Sequence, residues 1–312
     1  MTAAIFKKPL PLVALIIAHL IWGANFVVAK ITLQEFPPMS LAFLRFALAS
    51  LFLAPFFLAE TKKVKINRND LPKLIATGVL IITLNIAFFF EGIKRTTATD
   101  ASILTLTIPI LSVLLGWWFL KEKIILINLV GIALGFLGAA VIIGLPQTVT
   151  ANISSQTIIG NILIILASIS WVVGALVAKQ ILTKYSSLVV TAIAFLVGTL
   201  TFFIPAAREY IQNPAWVEHL TILGILGLIY MTLLSSISAY FLFEWGLSKT
   251  SVYLADLFQY IEPLVAIGLA VAILGEKLSP SFLIGGVLIA VSTYLGTLAK
   301  KIYHHHHKAH RV

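Results

Sequence analysis

The chain carries its own pattern twice. Near the start it reads Ile21-Trp22-Gly23-Ala24-Asn25-Phe26-Val27-Val28-Ala29-Lys30, and 149 residues later Ser170-Trp171-Val172-Val173-Gly174-Ala175-Leu176-Val177-Ala178-Lys179. Further on, Glu91-Gly92, Thr96, Pro109, Glu122-Lys123 and Gly131 are answered at one shift of 154 by Trp245-Gly246, Thr250, Pro263, Glu276-Lys277 and Gly285. Each half holds five apolar stretches of membrane-crossing length, so the expected fold is all-α and integral to a membrane, with ten transmembrane helices. An odd number of crossings brings the second copy in upside down. Two inverted five-helix repeats around a central cavity are an arrangement used by secondary carriers.

Composition agrees with a membrane body. Hydrophobic residues make up 60% of the chain and charged ones only 11%, with a mean hydropathy of +1.03. Soluble domains carry roughly a quarter charged residues. The chain has no cysteine, which excludes disulfides, thiolate catalysis and Cys-based metal sites. A net charge of +10 could point to nucleic acid, but the basic residues sit in short loops between apolar runs. Orientation in a bilayer accounts for them better.

Crossings are expected near residues 10–33, 40–59, 72–91, 99–120 and 124–145, then 158–180, 187–206, 220–246, 252–274 and 280–299. The first has no small-residue cleavage site before the next charge, so it reads as a helix and not a signal segment. This divides the chain into a first repeat at 1–146, a second at 147–303 and a polar His-rich tail at 304–312. With the N-terminus inside, sixteen Lys and Arg fall on the cytoplasmic side and five outside, while Arg45 lies within the second crossing. Such a bias predicts a multi-pass protein of a bacterial-type inner membrane with both termini cytoplasmic. Glu122-Lys123 then lies at the inner surface and Glu276-Lys277 at the outer one.

The motifs Trp22-Gly23, Arg45-Phe46, Glu262-Pro263 and Gly275-Glu276-Lys277 resemble the drug/metabolite transporter superfamily, and within it the ten-helix EamA-type branch. The likeness covers residues 10–299, with Lys121 in place of Gly275 and Val172 after the second Trp as mild departures. What the resemblance implies is a carrier or facilitator, proton- or gradient-coupled, for small organic solutes such as amino acids. Substrate does not come with the family name.

Polar residues inside apolar runs are expensive and tend to face a cavity or a partner. On the first segment His19, Trp22 and Asn25 recur every three residues as one oblique stripe. His19 reads equally as a solute contact or as a hydrogen-bond partner between helices. Trp22 and Trp171 lie too deep for an interfacial belt and favour a cavity wall, where they are expected to face each other. Arg45 suits a bidentate anchor for a carboxylate, with snorkelling to headgroups or pairing with Glu262 or Glu91 as the other readings. Asn85 offers donors and acceptors to a zwitterion.

The ninth segment is the most polar, with Asp256, Gln259, Tyr260 and Glu262 ahead of Pro263. Asp256, Gln259, Tyr260 and Pro263 share a helical face at the i, i+3, i+4, i+7 spacing. Proline frees the carbonyl of Gln259, and Pro109 repeats the device with Thr105 in the equivalent place. Glu262 must be paired or protonated at that depth, which makes it either the proton-coupling group or half of a fixed ion pair. Phe88 and Tyr240 complete the expected wall, offering ring faces to apolar or cationic groups.

The sequence therefore predicts a transporter of amino acids or related zwitterionic metabolites working by alternating access, not an enzyme. Arg45 would meet the carboxylate and Glu262 the amine. A proton-coupled exporter or facilitator of cationic amines or drugs is the alternative, and an intramembrane enzyme built on Glu262 and His19 a remote one. No cofactor, metal or nucleic acid is expected; the partners are a small-molecule substrate, the lipid bilayer and protons or another gradient ion. The chain is read as a monomer or weak homodimer, with Gly131, Gly135 and Gly138 allowing close helix packing. His304 to His307 read as a solvated tail and Asn152-Ile153-Ser154 as a weak glycosylation match.

Overall fold

The structure is a computed structural model that describes residues 10–96, 101, 104–120, 126–143, 155–274 and, near the end, 284–285, 287–288, 291–292 and 295. Glu122-Lys123, Asn152 to Ser154, Gly275-Glu276-Lys277 and His304 to His307 lie outside the described residues. Within them the chain is all-helical, with no strand. Six helices are long and apolar enough to cross a membrane: Leu10–Thr32, Pro38–Thr61, Arg68–Arg95, Ile158–Ile181, Ser187–Gln212 and Ile222–Lys249.

The first half comprises α1 (Leu10–Thr32), α2 (Pro38–Thr61), α3 (Leu71–Gly78), α4 (Asn85–Arg95), α5 (Thr107–Leu120) and α6 (Leu126–Ile143). The second comprises α7 (Ser155–Ile181), α8 (Ser187–Gln212), α9 (Ile222–Tyr230), α10 (Ala239–Lys249), α11 (Val252–Leu257) and α12 (Ile261–Leu274). Two of the long spans are not plain α-helices. A π-helical stretch, Val79–Leu84, joins α3 to α4, and another, Met231–Ser238, joins α9 to α10. Both end at equivalent places, since 84 plus 154 is 238. Wider turns leave carbonyls poorly used within the helix, and π-bulges recur at functional sites.

Pro263 and Pro109 follow breaks in their helices, as the sequence leads one to expect, whereas Pro55 and Pro205 lie inside unbroken α2 and α8. Phe258–Tyr260 tightens into a 3₁₀ turn between α11 and α12, just before Pro263. A turn at Leu106 stands in the same relation to Pro109.

Packing is reciprocal between the halves. α1 packs on α10 and α12 of the second half, while α7 packs on α4 and α5 of the first. α2 packs along α8, its counterpart. Each leading helix also donates to the other half's π stretch: Trp22 Nε1 to the Ser235 carbonyl at 3.0 Å, and Ser170 Oγ to the Leu80 carbonyl at 2.7 Å. At their far ends, two lysines cap equivalent carbonyls. Lys30 donates to Ile93 O and Thr96 O at 2.7 and 2.9 Å, and Lys179 to Leu247 O and Thr250 O. A lysine at a helix C-terminus satisfies orphan carbonyls and meets the negative end of the dipole.

Two glutamates tie helix starts together on one side. Pro37 cannot cap α2 through its side chain, and Glu209 from α8 does so instead, accepting from Met39 N, Ser40 N and Ser40 Oγ at 3.1, 2.7 and 2.8 Å. Glu35 accepts from Thr221 N and Oγ at 2.8 and 2.7 Å at the start of α9. Those Thr221 hydrogen bonds hold the Glu35 carboxyl below the usual glutamate range. On the other side, Lys184 donates to Asp70 at 2.7 Å, and this contact raises the lysine above its ordinary value.

Candidate functional site

A cavity opens where α1, α2, α4, α7 and the two interrupted helices meet, and it offers about 90 Å³ to the centres of water-sized molecules. Its wall includes nine of the residues singled out above: Trp22, Asn25, Arg45, Asn85, Thr105, Trp171, Tyr240, Gln259 and Glu262. His19, Phe88 and Tyr260 are not part of it.

Arg45 is 1% exposed, so it does not snorkel. Its Nε donates to Ser236 Oγ at 2.5 Å and its Nη2 to Ser235 Oγ at 3.2 Å. Both hydroxyls come from the π stretch, which turns two adjacent serines toward one guanidinium. Among the described residues no carboxylate lies within ion-pair distance of it: Glu91 pairs with Arg95 and Glu262 with His19. Its Nη1 has no partner among them. A buried guanidinium held by two neutral acceptors, with donors to spare, is prepared for an anion.

Across the cavity Glu262 is held at both oxygens, by His19 Nδ1 at 2.8 Å and by Gln259 Nε2. His19 Nε2 lies 3.1 Å from the Ala255 carbonyl, which can only accept, so Nε2 carries a hydrogen. One proton is then shared between Nδ1 and Glu262. His19 is an inter-helix partner that positions Glu262, not a wall residue. Gly23 makes this approach possible: a Cβ there would sit 2.7 Å from Val265 Cβ and 2.9 Å from the Glu262 carbonyl.

The two indoles expected to face each other across the cavity meet directly. Trp22 and Trp171 touch edge to face, with centroids 5.2 Å apart, and Tyr240 lies 5.2 Å from Trp22. Both indole N–H groups are engaged, Trp22 with Ser235 O and Trp171 with Asp256 Oδ1 at 3.1 Å. Asp256 also accepts from Ser112 Oγ. The two indoles therefore have faces and edges to offer, and no free donor.

Tyr260 is turned away. The 3₁₀ step before α12 breaks the i, i+4 relation to Asp256, and the Tyr260 ring packs over Gly135 with its hydroxyl donating to Ile132 O at 3.2 Å. Gly131 and Gly135 thus face inward, toward Tyr253 and Tyr260. Phe88 is displaced by helix geometry. Asn85, Ile86 and Phe89 make the α4 wall, and at 100° per residue Phe88 falls on the other flank of Asn85. Asn85 donates to Ala167 O at 2.9 Å.

Sequence reasoning missed Phe26, Ile86, Phe89, Ile108 and Ser235 in the wall. The apolar four carry no signal that separates wall from core. Ser235, Ser236 and Ser238 did, as three hydroxyls close together in an apolar run.

Comparison with known proteins bears on the family and the fold. The EamA-like transporter family matches the chain at residues 10–144 and again at 158–298. An uncharacterized transporter of Archaeoglobus fulgidus is 32% identical over 286 residues, covering 91% of this chain and 96% of its own. A probable amino-acid metabolite efflux pump of Salmonella typhimurium is 29% identical, covering 90% of this chain and 93% of its own. A crystal structure superposes with a TM-score of 0.73 over 93% of this chain and 97% of its own; at 17% identity that likeness concerns the fold alone.

Proposed function

The chain belongs to the EamA-like transporter family and is a multi-pass membrane transporter, and on that premise we propose that it carries amino acids or related zwitterions by alternating access. Ten crossings in two inverted halves, divided near residue 146, would frame one central site with both termini in the cytoplasm of a bacterial-type cell. The two family matches and the reciprocal packing of α1 and α7 support that division.

One observation carries the substrate reading. Arg45 is a buried cation in the cavity wall whose Nη1 has no partner among the described residues, and Asn25 Oδ1, also in the wall, has none among them either. A solute carboxylate at Arg45 and an ammonium reaching Asn25 Oδ1 and the remaining lone pairs of Glu262 would satisfy both. The ring edges of Trp22, Trp171 and Tyr240 suit an apolar or aromatic side chain. The name of the Salmonella relative supports the same class. A purely cationic amine finds aromatic faces here but would sit beside an uncompensated arginine. The Glu262–His19 pair shares one proton and is the candidate for coupling.

Purified protein in proteoliposomes tests this. Labelled phenylalanine should be taken up under an imposed proton or sodium gradient, unlabelled phenylalanine should compete, and phenylalaninamide should not. Equal competition by the amide would remove Arg45 from the site and favour the amine reading.

A further inference from the structure

Outside the cavity wall lies one buried acid that the solute reading does not use. Glu244, on α10, is 1% exposed. Its Oε2 accepts from Thr191 Oγ of α8 at 2.9 Å, and its Oε1 has no partner among the described residues. No cation lies within ion-pair distance among them. Tyr240, one turn earlier on the same helix, is in the cavity wall.

The internal repeat says what the fold itself requires at this place. Subtracting 154 from 244 gives Phe90, and subtracting 149 from 191 gives Ala42, each 0% exposed. The first half fills the equivalent positions with a ring and a methyl group. An acid and a hydroxyl are therefore not demanded by packing. An acid in such a place is costly unless it is paired or neutral, so something other than packing accounts for it.

We propose that Glu244 is a proton-binding site, separate from the Glu262–His19 pair, that loads and unloads when motion of the Tyr240 wall admits water. Its ligand is a proton and not a metal cation, because two side chains supply too few oxygens for a cation shell and no cluster of three metal-ligating groups exists among the described residues. In the conformation at hand the neutral acid accepts from Thr191, and its own hydroxyl hydrogen has no acceptor among the described residues. Water entering behind Tyr240 supplies that acceptor and carries the proton away.

Most charged and titratable groups on the surrounding elements are engaged elsewhere, and Arg208 and Tyr210 of α8 lie at that helix's far end from Thr191. His19 of α1 is bonded to Glu262, and Lys30 reaches α4. Lys179 of α7 holds Leu247 O and Thr250 O, one to two turns further along α10. Asp256 and Tyr253 of α11 bond Trp171 and Asn128. At the far end of α8, Glu209 caps α2. Tyr240 is the nearest titratable group on α10 itself.

Infrared difference spectra of the purified protein in lipid, recorded across a pH titration, read this directly and need no solute. A carboxylic-acid C=O band should titrate in the wild type, vanish in Glu244→Gln and persist in Glu262→Gln. Thr191→Ala should keep the band and shift it, because the hydrogen bond to that carbonyl is gone. If Glu244→Gln fails to fold, the double variant Glu244→Phe with Thr191→Ala copies the first half's packing and should lack the band. In proteoliposomes at a one-unit pH gradient, losing one coupled proton should cut phenylalanine accumulation about tenfold while phenylalanine exchange continues. A wild type with no titrating band, or a band unchanged in folded Glu244→Gln, overturns the proposal. Loss of accumulation in Glu262→Gln alone, with the Glu244 variant unaffected, also overturns it and leaves the solute reading standing.

Discussion

At the residue scale, the proposed substrate chemistry rests on Arg45. Its two serine contacts fix the plane of the guanidinium, which a lysine cannot copy. Arg45→Lys should therefore weaken carboxylate-dependent binding by about tenfold or more, since a charge-assisted hydrogen bond contributes about 1.5–3 kcal/mol. Equilibrium binding of phenylalanine to the purified variant checks this, and unaltered affinity would make Arg45 structural. Trp22→Ala removes edge contacts to Trp171 and Tyr240 as well as a solute face, at about 1 kcal/mol for each ring pair. It should lower both binding and thermal stability, with Trp22→Phe recovering part of each. The polar half of the wall was legible because Asn25, Arg45, Gln259 and Glu262 stand out against apolar neighbours. Phe89 and Ile108 were not, since a lipid-buried core and a cavity lining draw on the same residues. Tyr260 was misplaced, and His19 was left between two readings, because a polar group inside a helix can serve a neighbour as well as a solute.

At the scale of elements, the six long apolar helices were legible and their internal irregularities only partly so. Proline marks the 3₁₀ step at Phe258–Tyr260, but nothing in Val79–Leu84 announces a π-helix, because an extra residue per turn leaves no compositional trace. That widening is what delivers Ser235 and Ser236 to Arg45. Close contact of α1 with α12 depends on Gly23, so Gly23→Ala should force the two apart. A loss of about 1–3 kcal/mol is expected, the usual range for overpacking, and the shortfall should appear as a lower unfolding temperature. The Glu35 cap on α9 gives a pH signature. Its carboxyl is held below the ordinary value of 4.5, so the cap stabilises fully at neutral pH and fades as pH falls through the depressed value. Glu35→Gln should unfold at lower temperature than wild type at neutral pH, and the two should converge in acid. Parallel curves at all pH values would deny the cap any part.

At the scale of the molecule, the repeat in the sequence does not reveal that the halves exchange their leading helices. Similarity at shifts of 149 and 154 says that two units are alike, whereas packing of α1 on α10 and α12 is a relation between unlike segments. The exchange makes one body of two repeats and sets the wall of the cavity from both. Its consequence for orientation can be tested without knowing any solute. Sixteen basic residues against five predict that Lys65 and the chain after Lys300 face the cytoplasm and that Gln147 to Thr157 faces outward. Since the native chain has no cysteine, a single one can be placed at each position with no background. In intact cells a membrane-impermeant maleimide should label a cysteine at 147 and spare those at 65 and 308, and permeabilisation should expose all three. On the ten-crossing reading, three crossings separate the Lys65 loop from the outer loop: the span of α3 and α4, then α5, then α6. An even count there would place the two loops on one face and the two halves in the same orientation. Labelling of position 65 from outside would thus remove the cytoplasmic N-terminus, and equal labelling of 65 and 147 would remove the inversion itself, along with the mirrored roles given to Trp22 and Trp171.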